Sequence, residues 1–97
     1  MTVRFLAEAE AEFDEAVEYY DGQLAGLGAE FAVEVREGLA RIAEFPRNWQ
    51  QLRRHIRRYR LRRFPYGLVY VELESDIVVV AVMHLHRKPD YWTDRLR

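Results

Sequence analysis

The chain has 97 residues, no cysteine, an apolar share of 49% and a net charge of −1; that length supports one compact domain and not two, that apolar share excludes a disordered chain, and the lack of thiols excludes a disulfide framework and fits a reducing compartment. The near-zero charge hides a division. Residues 1–44 hold 3 Arg against 11 Asp or Glu, net −8, and residues 45–97 hold 12 Arg or Lys against 5 Asp or Glu, net +7, an asymmetry that points to an acidic or polyanionic partner at one surface unless the halves neutralise each other.

The segment TVRFL, Thr2–Leu6, is β-branched and apolar and predicts a short strand. Ala9, Phe13, Ala16, Val17, Tyr20 and Leu24 then recur at three- and four-residue steps, which predicts a first helix with Glu8, Glu10 and Glu12 near its positive end. Ala25–Gly28 breaks that helix. A second, with the stripe Phe31, Val35, Leu39 and Ile42, runs from about Ala29 to Phe45, where Pro46 disfavours helical geometry. Two amphipathic helices on a short loop read as an antiparallel hairpin.

Beyond PRNWQQ the period becomes two. Arg53–Arg63 predicts a strand carrying seven arginines, Tyr66–Glu74 a second after Pro65, and Ile77–His86 a third, apolar on both faces and therefore interior to its sheet. In an unbroken strand Arg54, Arg58, Arg60 and Arg62 share one face, and Arg53, Arg57 and Arg63 share the other with Tyr59 and Leu61. The tail after Pro89 predicts a helical turn with Asp90 as its cap. The sum is a single α+β domain over residues 1–97 in the order β-α-α-β-β-β. A helix hairpin packs on one face of a small, mostly antiparallel sheet, a short helical turn ends the chain, and the arginines reach the uncovered face. No basic head precedes a long apolar run at the N-terminus, and the longest uncharged run, Ile77–His86, is ten residues against the roughly 20 that span a bilayer. A soluble cytoplasmic protein without membrane attachment is expected.

Four stretches, FDEAVEYYDGQLAGLGAEF, FPRNWQQL, RRYRLRRFPYGLVY and MHLHRKPDYWTDR, resemble in that order the RelE/ParE superfamily, the toxins of type II toxin–antitoxin pairs, and its ParE-like branch in particular. The resemblance implies a toxin held inactive by a cognate antitoxin. It implies DNA gyrase as the target for a ParE-like member, or ribosome-dependent messenger RNA cleavage for a RelE-like one. It also implies that DNA is reached only through the antitoxin, which fits the absence of a helix-turn-helix pattern here. A degenerate toxin that only binds its antitoxin is the third possibility, since one fold serves all three.

Cleavage of RNA through its 2′-hydroxyl needs a general base, a general acid and cations for the growing phosphate charge. His84 and His86, two residues apart on a strand and so about 7 Å apart, with Arg87 and Tyr91, form the catalytic candidates His84, Arg87 and Tyr91 if the chain is a nuclease. The other reading makes the histidines polar residues finishing a strand. RelE-type nucleases resemble one another in a lysine- and arginine-rich active face with a tyrosine near the C-terminus; this chain has a single lysine, Lys88, with Tyr91 and the arginines as substitutes, so enzymatic activity is left open with binding preferred. Arg54, Arg57, Arg58, Arg60 and Arg62, with Trp49 as an aromatic anchor, are the candidates for contacting antitoxin or target, because guanidinium pairs bidentately with carboxylate. No metal or cofactor is expected: His55 and the His84/His86 pair lie on different strands, with no carboxylate beside the pair.

Overall fold

The computed structural model describes residues 2–97. Strand β1 (Thr2–Phe5) leads into helices α1 (Ala7–Gln23) and α2 (Leu27–Glu44), followed by β2 (Gln50–Arg53), β3 (Ile56–Arg60), β4 (Tyr66–Leu73), β5 (Asp76–His84) and a 3₁₀ turn at Thr93–Leu96. The sheet order is β1-β5-β4-β3-β2. β1 lies parallel to β5 and the other three pairings are antiparallel. The helix hairpin covers one face, as the sequence predicts. No helix among the described residues is long and apolar enough to cross a membrane.

Between helices and sheet lies the larger core, built on Phe31, Val35 and Ile42 of α2, Ala9 and Ala16 of α1, and Leu68, Tyr70, Ile77, Val79 and Val82 of the sheet. Burial of each large apolar side chain stabilises the fold by about 1.5–3 kcal/mol. Gly38 is what lets α2 approach β3: a Cβ there would stand 2.8 Å from the Tyr59 ring, whose hydroxyl accepts a hydrogen bond from Arg41 at 2.7 Å. Leu24 falls outside the predicted stripe. It ends α1 in an extended conformation and is exposed, while Leu27 begins α2 and packs against the core in its place.

Three further differences from the sequence reading have physical causes. The strand predicted over Arg53–Arg63 is only Ile56–Arg60, and the stretch read as a loop before it supplies a separate strand, Gln50–Arg53, because the chain reverses at Arg54–His55 with His55 in the left-handed region at φ 68°. Face parity is reset at that turn. A bulge in β5 sets Val69 opposite Ala81 and Tyr70 opposite Val79, leaving Val80 extra, so Val78, Val80, Ala81 and Met83 all reach the face away from the helices. That face is therefore not free. Its valines are too apolar to leave wet, and Trp92, with Leu6, Leu52, Ile56 and Tyr91 packed alongside, makes a second, smaller core. Asp90 does not cap the final turn with its side chain; its carbonyl accepts from the Thr93 N–H.

Candidate functional site

The C-terminal segment is held down by one carboxylate. β1 ends at Phe5, so β5 has no neighbour on that side beyond Val79. Glu12, on the inward side of α1, fills the gap: its Oε1 accepts from the Val82 N–H at 3.0 Å and from Arg95 at 2.7 Å. Its Oε2 accepts from the Tyr91 hydroxyl at 2.6 Å and from Arg95 at 3.0 Å, with Arg87 at 3.5 Å. Arg95 also donates to the Val80 carbonyl. Side chains thus replace a missing strand. Burial, and then the bond to Glu12, push the Tyr91 phenol far above its ordinary pKa, while the bond to Glu12 raises that of Arg95.

Of the three nuclease candidates, Arg87 and Tyr91 are brought together, with the Arg87 guanidinium 3.8 Å from the Tyr91 ring centre. Both are engaged by Glu12. His84 ends β5 with its ring 5.0 Å from those of Tyr66 and His86, and its Nδ1 accepts from the His86 N–H. His84 and Arg87 share a cavity of about 250 Å³ that includes Glu12 and Tyr66 but not Tyr91. A protonated, carboxylate-bound phenol is a poor proton shuttle at neutral pH. His55 stands at the β2–β3 turn, lining a different cavity from His84.

The arginines divide between the two faces of β3. Arg57 is on the helix side with Tyr59 and donates to the Trp49 carbonyl at 2.9 Å. Beside it Arg54, His55, Arg47, Tyr70 and Glu72 border a cavity of about 380 Å³. Tyr70 donates to the Pro46 carbonyl at 2.6 Å, and burial pushes its phenol up to about 12. Arg58 lies on the opposite face, its stem across Gly67, where a Cβ would stand 2.7 Å away. Burial and then Arg60 lower its pKa, and it donates to Gln50. Arg60 and Arg62 border a cavity with Leu85 and His86. The turn at His55 thus moves Arg54 from the expected company of Arg58 and Arg60 to that of Arg57.

Within the seven-arginine stretch, only Arg63 has a carboxylate partner among the described residues, Glu30 at 2.7 Å. The β3–β4 loop is tied to α2 through its backbone instead, with the N–H groups of Arg62 and Arg63 donating to Glu34 at 2.5 and 3.1 Å. Arg53 sits 5.8 Å from the Trp92 ring centre. Trp49 is half-buried against Tyr59, and its indole N–H is buried without a partner. Sequence reasoning missed Glu12 as the organising residue. Its place on the inward side of an otherwise acidic helix was the available signal.

The model of the family described as ParE toxin of type II toxin-antitoxin system, parDE, matches residues 3–89. The chain belongs to the ParE toxin family. A solved chain described as a chromosomal ParDE TA system from P. aeruginosa matches with TM-score 0.77 at 12% identity, over 89% of this chain and 97% of that one. At that identity the likeness concerns the fold, and the ParE-family fold is the one described above. No curated protein matches the sequence.

Proposed function

We propose that this ParE-family toxin acts by binding, with DNA gyrase as its target, and that a cognate antitoxin silences it by laying acidic side chains on the arginine surface of β3 and its flanks. The observation that carries the binding mode is charge without a match. Arg53, Arg54, Arg57, Arg58, Arg60 and Arg62 form no ion pair among the described residues, although the chain holds 16 Asp or Glu. Crowded like charges cost free energy in the isolated toxin, and a carboxylate-bearing partner removes that cost. Gyrase as the target rests on ParE-family membership. Ribosome-dependent cleavage is the second reading, and the shared cavity of His84 and Arg87 favours it; the commitment of Tyr91 and Arg87 to Glu12 speaks against it.

The test has two arms. Induction without antitoxin is expected to give filamentation, with gyrase supercoiling inhibited in vitro by the purified chain. Mapped messenger RNA cuts with unaffected gyrase would establish the nuclease reading instead, and no growth effect would indicate a degenerate toxin. Changing Arg57, Arg58, Arg60 and Arg62 together to Gln is expected to loosen the antitoxin complex and make its affinity less sensitive to salt. Unchanged affinity with unchanged salt slope would refute the antitoxin assignment.

A further inference from the structure

We propose that the cavity between the β2–β3 turn and the loop after α2 binds a small hydroxylated phosphomonoester, with its phosphate on Arg54 and Arg57 and a hydroxyl on Glu74. The proposal goes beyond the target and antitoxin readings. It leaves Arg58, Arg60 and Arg62, which do not border this cavity, to a protein partner.

The cavity exists because the sheet outruns its helices. α2 ends at Glu44, and no helix residue borders the cavity; Pro46 and Arg47, in the chain that follows α2, form a wall instead. Gln51 stands directly opposite Arg57, and Arg57 opposite Tyr70, so these three side chains make one row on the helix side of the sheet. The enclosed volume is about 380 Å³, within the range of small-molecule pockets, about 300–1,000 Å³.

Charge selects the ligand. Arg47 is matched by Glu72 at 3.2 Å. Arg54, Arg57 and Glu74 border the same cavity, and none of the three forms an ion pair among the described residues. Opposite charges therefore face one space without closing on each other. Two guanidinium groups against one carboxylate leave an excess of positive charge. A phosphomonoester carries about −1.5 to −2 at neutral pH and offers three acceptor oxygens, which suits two forked donors. The single carboxylate of a free amino acid would leave one guanidinium unmatched. Arg57 already donates to the Trp49 carbonyl at 2.9 Å, which holds its fork in place. Glu74 repels a phosphate but accepts from a hydroxyl, whereas an acidic peptide laid across the cavity would meet Glu72 and Glu74 as like charges.

The backbone points to the same place. Among the described residues, the non-glycine positions with left-handed φ are His55 at 68° and Glu74 at 55°, and both border this cavity. Left-handed backbone is unfavourable for residues that carry a Cβ, and such strain gathers at ligand sites.

Calorimetric titration of the full chain with ribose 5-phosphate, in the absence of any antitoxin, tests the proposal; its result stands independently of whether an antitoxin complex forms. One-site saturable binding is expected, with inorganic phosphate about tenfold weaker and ribose without measurable binding. Arg54→Gln, a change at an exposed position, is expected to weaken ribose 5-phosphate about tenfold. Glu74→Gln is expected to weaken it about threefold while leaving inorganic phosphate bound at least as tightly as before. Amide NMR shifts on binding are expected to centre on His55 and Glu74. AMP in a parallel titration identifies the source of the phosphate: tighter binding than ribose 5-phosphate assigns a nucleotide, equal or weaker binding a free sugar phosphate. No saturable binding of either compound, ribose 5-phosphate bound no more tightly than inorganic phosphate or glutamate, an affinity unchanged by Arg54→Gln, or shifts centred on Arg60 and Arg62 would each overturn the assignment.

Discussion

Glu12→Ala is expected to be among the most damaging single changes in this chain, although Glu12 is a charged residue that belongs to neither core. The Glu12 side chain is 13% exposed and that of Arg95 16%, so the pair is desolvated and the carboxylate is the partner of four groups: the Val82 N–H, the Tyr91 hydroxyl, Arg95 and Arg87. Removing one member of a buried ion pair costs about 3–5 kcal/mol, because the other charge remains without compensation. Arg95 keeps one contact, to the Val80 carbonyl at 3.1 Å, which argues for the lower part of that range. Against a total of about 5–15 kcal/mol for a domain of this size, the melting temperature is expected to fall by about 12–25 °C. Urea unfolding of the full chain measures the loss. Trp92, buried and bonded to the Pro89 carbonyl, reports whether the tail lifts, through a red-shifted emission. The pair term is isolated by a cycle with Glu12→Gln and Arg95→Met, for which a coupling above about 1.5 kcal/mol is expected. A loss below about 1 kcal/mol for Glu12→Ala, with Trp92 emission unchanged, would refute the claim that this carboxylate clamps the C-terminal segment.

Three further outcomes are expected. The folded state holds the Tyr70 phenol at about 12 against an ordinary 10.0, and it also holds the Tyr91 proton more tightly than the unfolded chain does. The unfolded state therefore releases these protons first, and stability is fully present below about pH 10 and falls as pH rises towards the folded values, by up to about 1.4 kcal/mol per pH unit for each group. Tyr70→Phe is expected to flatten that alkaline loss in urea titrations while costing about 1 kcal/mol at pH 7 through the lost bond to Pro46; an unaltered alkaline slope would contradict the assignment. Gly38→Ala places a methyl against Tyr59 and is expected to destabilise by about 1–3 kcal/mol in thermal unfolding. His84→Ala, which removes a ring in contact with Tyr66, is expected to leave the proposed gyrase inhibition as it is in the parent chain, and a folded variant that has lost the parent's activity would count against a structural role for His84.

Local pattern carried most of the fold. The three- and four-residue stripe of Phe31, Val35, Leu39 and Ile42 predicts the inward face of α2; Phe31, Val35 and Ile42 are buried and Leu39 is partly buried against the same core. The run predicted over Ile77–His86 is apolar from Ile77 to Met83, and those seven residues are the buried part of an interior strand. The arginine stretch was legible as a charge anomaly but not as geometry. Alternation over Arg53–Arg63 holds only while the strand continues, and one left-handed residue at His55 ends it and divides the arginines between two faces. The candidate site was least legible at Glu12, which looks like its neighbours Glu8 and Glu10 in a helix that is acidic throughout.

The sequence by itself determined what depends on near neighbours: two amphipathic helices, apolar strands, and a chain with an acidic first half and a basic second half. Only the tertiary structure decided what depends on residues far apart in the chain. Glu12 and Arg95 are separated by 83 positions, and they meet because β1 stops short and leaves the β5 edge to be closed. The valines of the second face are covered by Trp92 for the same kind of reason: an apolar surface takes whichever part of the chain the completed fold brings to it.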